Sequence, residues 1–332
     1  MINILFSFSL FSVLGWILEV VYRSSVNKRF VNPGLLSGPY LILYGFGGLI
    51  LCFCANLMTH ANIFLKALIY GIITTTLEFV SGVISLKLFN TRLWDYSDNR
   101  FNYKGLICLK FSIYWTIGAL LFDYFIYPNY IKLLDVIPLS TKLIFGIGVI
   151  LCMGIDFNKV FEARFFDPDE EETLKQEFWN LAVEYVKNPA ILKLNDSLHH
   201  RDKTRLMHVI EVAYLSFVIA KKMSLDVNST VKGALLHDLF YYDWLREGPR
   251  LHGFRHPKIS LENARKIYPL SKKEEDIIKK HMWPLTPMPP LYWESFVVAM
   301  VDSFCSFRDY IPCLRRYYFK DEIKELINKS ES

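Results

Sequence analysis

The chain begins with long apolar stretches that few charges interrupt, and then it changes rhythm. Five runs, at roughly 3–22, 35–57, 63–86, 106–127 and 140–157, approach or exceed the ~20 apolar residues that a membrane-crossing helix requires. After Asp156 these runs give way to apolar positions that recur every three or four residues. Leu174, Phe178, Leu181 and Tyr185 mark one such segment, and Leu206, Val209, Ile210, Ala213, Phe217 and Ala220 mark another. That period belongs to amphipathic helices packed on a core. The pattern predicts an all-α protein in four parts: a five-span helical membrane domain (1–157), a linker with an amphipathic helix (158–195), an all-helical soluble domain (196–315) and a charged tail (316–332).

Local signals refine the second half. Asp167-Pro168-Asp169-Glu170-Glu171-Glu172 places carboxylates at a helix start, where the helix dipole favours them, and Pro189 closes that segment. This helix is expected to pack on the soluble domain or carry it away from the bilayer, with pairing in a homodimer as the alternative. Further helices are expected from Lys203 to Met223 and from Ser229 to Leu239, and Pro257 is read as a helix start. Ser271-Lys272-Lys273-Glu274 has capping-box spacing and opens another.

Charge separates the halves again. Lys and Arg outnumber Asp and Glu by 11 to 7 in residues 1–157 and by 27 to 26 in 158–332. A net charge of +5 spread over both halves argues against a nucleic-acid platform, so no nucleic-acid partner is expected. Arg23, Lys28 and Arg29 fall in the first loop, and Lys87, Arg92, Arg100 and Lys104 in the third, whereas the second and fourth loops carry few cations. The positive-inside bias then puts the N-terminus outside and everything after the fifth run in the cytoplasm. The first run lacks a basic start and is followed by four more, which does not fit a cleavable signal. Cys52, Cys54, Cys108, Cys152, Cys305 and Cys313 contain no Cys-x-x-Cys pair and read as structural.

Ionisable residues inside apolar runs are costly and need partners. Glu19 can reach Arg23 one helical turn on, whereas Glu78 has no local cation; both are candidates for a polar site in the membrane domain. Lys66 and Asp123 fall near the same face and could pair across helices. The motifs Gly15-Trp16, Asn32-Pro33-Gly34, Gly38-Pro39, Tyr44-Gly45, Trp94-Asp95-Tyr96-Ser97 and Phe101-Asn102 accompany the two glutamates. Together they resemble the ABC-transporter type IV family of small bacterial membrane proteins over nearly all of 1–157. The resemblance implies a permease-like part with transporter subunits as partners; the chain shows no Walker A motif of its own.

The chemistry-bearing residues lie in the second half. His208 sits within one expected helix, and Leu235-Leu236-His237-Asp238 ends the next. His256 precedes Pro257, His281 follows the capping-box helix, and Asp302 interrupts the apolar run Phe296 to Cys305, where an unpaired carboxylate is expensive. Imidazole and carboxylate are first-choice ligands for a divalent metal. With Arg205, Trp244, His252-Gly253-Phe254-Arg255-His256-Pro257-Lys258 and His281-Met282-Trp283-Pro284, the order resembles the HD-domain superfamily of metal-dependent phosphohydrolases over about 196–310.

That resemblance implies an HD-type all-helical domain in which His208, His237, Asp238 and Asp302 hold one metal. His256 and His281, with Asp238 bridging, hold a second, and His237 and Asp238 are catalytic. Such a site takes Mn, Fe, Co, Ni or Zn more readily than Mg, because it is rich in imidazole. The implied partners are a small-molecule phosphoester or nucleotide, with Arg205, Arg255 and Lys258 as substrate-binding candidates and membrane lipid around the spans. The Gly-Lys that follows His-Asp in cyclic-dinucleotide phosphodiesterases is replaced by Phe240-Tyr241. His252 falls in a loop with Gly248-Pro249 that could act as a lid. Two alternatives stay open: a transporter-like or sensor protein with a regulatory or inactive HD domain, and an HD-type di-iron oxygenase.

Overall fold

The computed structural model describes residues 2–166, 168–200, 203–243, 248, 250–311, 314 and 317–331. Asp167, Trp244, Pro249 and Cys313 lie outside the described residues. The chain divides into two compact units, Met1–Arg164 and Phe165–Ser332.

The first unit is built from apolar helices. Helix α1 (Ile2–Asn27) packs against α2 (Ile42–Leu57), and the two approach closely because Gly48 faces the Phe11 ring with no room for a Cβ. Helix α3 (Ile63–Phe89) follows, with Asn62 capping its start through the Leu65 amide. A short hairpin, β1 (Asn102–Tyr103) with β2 (Ile107–Cys108), leads to α4 (Leu109–Leu121). A single π turn, Phe122–Ile126, joins α4 to α5 (Tyr127–Val136), and α6 (Leu139–Phe165) completes the unit.

Four of these segments are long and apolar enough to cross a membrane: Ile2–Asn27, Ile63–Phe89, Leu109–Val136 and Leu139–Phe165. The expected second span is helical over only part of its length. Its helix has 16 residues and begins at Ile42 rather than near 35, because Pro33, Gly34, Gly38 and Pro39 hold the chain in an irregular segment. At 1.5 Å per residue the helix alone reaches about 24 Å of the ~30 Å hydrocarbon core. The fourth span runs past its expected end at 127. Tyr127 N bonds back five residues to Phe122 O, and this wide turn admits Pro128, which has no N–H to give. Exposed Phe53, Phe64, Phe125 and Ile144 give these helices the apolar outer face that lipid requires. The protein is a membrane protein.

Among its described residues the second unit forms helices and one hairpin, β3 (Leu198–His200) with β4 (Lys203–Thr204). Helix α7 (Pro168–Val186) buries Leu174, Phe178, Ala182 and Val186 at helical spacing, then α8 (Pro189–Leu192) and a 3₁₀ turn lead into the hairpin. Helix α9 (Arg205–Lys222) is buried along nearly its whole length and packs on α10 (Val227–Leu236) and α13 (Trp293–Tyr310). Helix α12 (Lys272–Lys280) opens with the expected capping box.

Helix α11 (His252–Ile267) departs from expectation: Pro257 lies inside it rather than at its start. Pro257 leaves the carbonyl of Gly253 without the i→i−4 bond that any other residue at 257 could donate. The segment after 316 is more than a tail. Helix α14 (Lys320–Glu331) follows Phe319, whose ring stacks on Trp179, and Tyr318, Phe319 and Ile323 are buried.

Candidate metal centre

The centre draws His237 and His281 from helix ends and His208, His256 and Asp302 from within helices. Asp226 caps α10 by accepting from Ser229 N, and Gly233 lets α10 lie against α12: a Cβ there would meet the Ile277 side chain at 2.8 Å. This contact sets the two helices side by side, and each is closed by a histidine, His237 and His281. Carbonyls in the last turn of a helix have no intrahelical donor. Each histidine supplies one from Nδ1, His237 to Ala234 O at 2.6 Å and His281 to Ile278 O at 2.8 Å. His256, inside α11, likewise donates Nδ1 to His252 O at 3.1 Å. A carbonyl can only accept, so the proton of each neutral ring is on Nδ1 and Nε2 keeps its lone pair.

Those lone pairs converge. His256 Nε2 lies 2.7 Å from His281 Nε2, and Asp238 Oδ1 lies 3.2 Å from the first and 3.5 Å from the second. On the other side of Asp238, His208 Nε2 lies 3.0 Å from Asp302 Oδ1, and His237 Nε2 lies 3.9 Å from Asp238 Oδ2 and 3.8 Å from Asp302 Oδ1. His237 Nε2 is buried without a hydrogen-bond partner among the described residues. Three groups, His208/His237/Asp238, His237/His281/Asp302 and Asp238/His256/His281, each have ligand atoms within 4.8 Å of one another and can hold a metal ion. Neighbouring ligands at ~2.0–2.1 Å from a common ion stand about 3 Å apart, so the donor set fits. All six sequence-expected ligands are thus brought together.

The electrostatics of the donor set point the same way. Burial disfavours charge on Asp238, but His237, His256 and His281 outweigh it and hold the carboxyl well below its usual range. Asp302 is also depressed, with His208 and His237 overcoming its burial. Burial, with His256 and His237 nearby, pushes His281 down to about 3. Burial would lower His237 too, but Asp238 and Asp302 raise it to about 9. The carboxylates and His281 therefore sit in the states that bind metal, and His237 carries a proton for an ion to displace.

The expected substrate-binding residues are placed differently from one another. Arg255 and Lys258 are exposed on α11. Arg205 is fully buried, stacks over the Phe240 ring at 3.7 Å, and donates to Phe240 O at 2.6 Å and Tyr242 O at 3.1 Å. It clamps the segment that follows His237-Asp238, and Asn263 does the same from α11 by donating to Leu239 O. Sequence reasoning missed Asn263 and the pairing of Arg205 with Phe240, since both are contacts to backbone far along the chain. His252, read as part of a lid loop, begins α11 instead, and its ring stacks on His256 with centroids 4.5 Å apart. The helical spacing from 252 to 256 was the available signal.

In the membrane unit, Glu19 accepts from Arg23 Nε and Tyr44 OH, both at 2.8 Å. Glu78 accepts on Oε1 from Tyr96 OH at 2.8 Å and Trp115 Nε1 at 3.1 Å. Tyr44 and Trp115 touch edge to face, which links the two carboxylates through aromatic rings. Lys66 Nζ meets Asp123 at 2.7 Å, the pair across helices that their positions suggested.

Residues 6–161 match the family model described as "Putative ABC-transporter type IV", and residues 205–291 match that of the HD domain. The second match includes His208, His237, Asp238, His256 and His281 and stops before Asp302. Ribonuclease Y of Pseudothermotoga lettingae is 33% identical over 144 residues, which is 42% of this chain and 26% of that protein. The chain therefore spans about a quarter of the length of that relative. No solved structure matches it. The N-terminal part resembles the transporter-related family, and the C-terminal part resembles the HD-domain family.

Proposed function

We propose that the protein is a membrane-anchored, metal-dependent phosphohydrolase whose catalytic part, residues 196–315, lies in the cytoplasm. The observation that carries this reading is the contact between His256 and His281. Two Nε2 atoms, each with its Nδ1 proton committed to a carbonyl, face each other at 2.7 Å beside a carboxylate oxygen. Facing nitrogens at that distance need a proton or a metal ion to join them, and the Asp238 oxygen beside both supplies the third donor that a metal takes.

His208, His237, Asp238 and Asp302 hold one divalent ion, and Asp238, His256 and His281 hold a second. Bound there, two ions supply Lewis acidity toward phosphate oxygens and a water that is nucleophilic at neutral pH. The chain's own work is positional. The backbone carbonyls of Ala234, Ile278 and His252 aim the three imidazoles, and Arg205 and Asn263 fix the segment that carries Asp238. The imidazole-rich set favours Mn, Fe, Co, Ni or Zn. Glu19 and Glu78 form a polar site of the membrane unit.

The likeness to Ribonuclease Y, a name that denotes action on RNA, supports the phosphoester class. The near balance of charge in residues 158–332 favours a small phosphoester or nucleotide over a polyanion. The cytoplasmic placement takes Ile42–Leu57, with residues 35–41 before it, as a fifth crossing, which puts the cations of the first and third loops on one side. The test is a phosphoester and nucleotide screen on the full chain, before and after chelation and metal add-back. Hydrolysis that follows the metal supports the reading, and hydrolysis indifferent to it, or none with metal bound, contradicts it.

A further inference from the structure

The exposed apolar side chains of the second unit are unevenly distributed. Among its described residues, Leu251, Phe254, Leu285, Met288 and Leu291 are 48–76% exposed, and the other large apolar residues at the surface are three tyrosines and Met300. The five lie in two segments, the start of α11 and the turn between α12 and α13. These are the segments that carry His256 and His281. They touch: a Cβ on Gly253 would meet Leu285 Cδ2 at 2.8 Å. Helical spacing puts Phe254, Arg255 and Lys258 along one side of the helix start, Leu251 immediately precedes it, and all four are exposed.

An exposed apolar patch of this kind marks a binding surface. The adjacent cations match an anionic head, and the two segments of the patch are those that carry His256 and His281. The same chain carries four helices of membrane-crossing length, which keep it where amphiphiles reside. We propose that the centre acts on a phosphoester bearing a long aliphatic chain, a lipid phosphate, whose chain lies along Leu251, Phe254, Leu285 and Met288. Arg255 and Lys258 offset the charge of its phosphate. This rests on the phosphohydrolase reading. In the reaction the oxygen of water bonds to phosphorus, the ester P–O bond breaks, and the departing alkoxide takes up a proton released by that water.

The test is equilibrium binding of butylphosphonate and decylphosphonate, which have no ester P–O bond to break, to the metal-loaded full chain in lipid nanodiscs, wild type against Phe254→Ser/Leu285→Ser. Partition of decylphosphonate into the disc is common to both proteins. Partial burial of six methylenes, at about twofold each, makes decylphosphonate roughly fiftyfold tighter in the wild type. The double variant loses about tenfold of that gain, keeps butylphosphonate binding within about twofold and retains its metal. Met288→Ser, in an exposed turn, is expected to lose about threefold.

A chain-length gain equal in wild type and variants overturns the proposal, and is what a surface that docks a bilayer or a protein gives. Equal weakening of both ligands overturns it too, as does the absence of binding by either. If the chain-length difference holds while no phosphoester is hydrolysed, the hydrolase reading fails and the amphiphile-binding surface stands.

Discussion

Lys66 with Asp123 in the membrane unit, and His256 with His281 in the C-terminal unit, are both buried pairs with a closest contact of 2.7 Å. They are opposite kinds of contact. The ammonium and carboxylate complete each other, and the Tyr124 ring covers the cation at 4.7 Å. The two imidazoles present lone pairs to each other, with their protons turned away to carbonyls. Elsewhere in the C-terminal unit, buried charge follows the membrane pattern. Lys203 bonds Glu211 and Asp309, and Arg308 meets Glu211, so cations and carboxylates alternate. The difference separates polar groups that hold a fold together from groups arranged for something the chain itself does not provide.

The largest effect that would break this distinction comes from Asp238→Asn. It should remove bound metal and metal-dependent hydrolysis by well over the ~10–100-fold that loss of an outer partner costs, as read by elemental analysis and turnover. If the variant keeps both, the His/Asp cluster is as self-sufficient as the lysine pair. For that lysine pair, Lys66→Met should lower stability by about 3–5 kcal/mol, and adding Asp123→Leu should restore most of it. Thermal unfolding in detergent would read both, and the C-terminal centre should still load metal.

Arg205→Lys sits between the two classes. A lysine cannot serve two carbonyls and stack on Phe240, so about 2 kcal/mol of stability should go. Metal affinity should fall by roughly tenfold as the Asp238 segment loosens. The smallest effect is for Ser271→Ala, which removes one side of the α12 capping box. It should cost about 1 kcal/mol in denaturant unfolding while leaving metal affinity unchanged, because the cap lies at the end of α12 opposite His281.

Much of this was legible in the residues themselves. Apolar run length announced the membrane helices, and the six candidate ligands stood out only as a set, an ordered series of His and Asp along a helical domain in which no single one was decisive. The Ser271 to Glu274 cap could be read directly because its physics is local. The second span could not be measured from apolarity alone. Pro33 to Pro39 is apolar enough to belong to a helix but holds the backbone in a shape that a helix cannot use. The roles of Arg205, Asn263 and Tyr44 depend on backbone and rings that lie far away in sequence, to which no periodicity points. Pro257 misled for the reverse reason: its usual place at a helix start is a preference about one missing hydrogen bond, and α11 tolerates that loss a turn later.

The most direct measurement is the metal content of the purified full chain, in equivalents per chain, for the wild type and for His256→Ala. The expected result is about two in the wild type and about one in the variant, since His208, His237, Asp238 and Asp302 remain to hold the first ion. A wild-type value near one would contradict the second site, and a wild-type chain that binds none would contradict the centre itself.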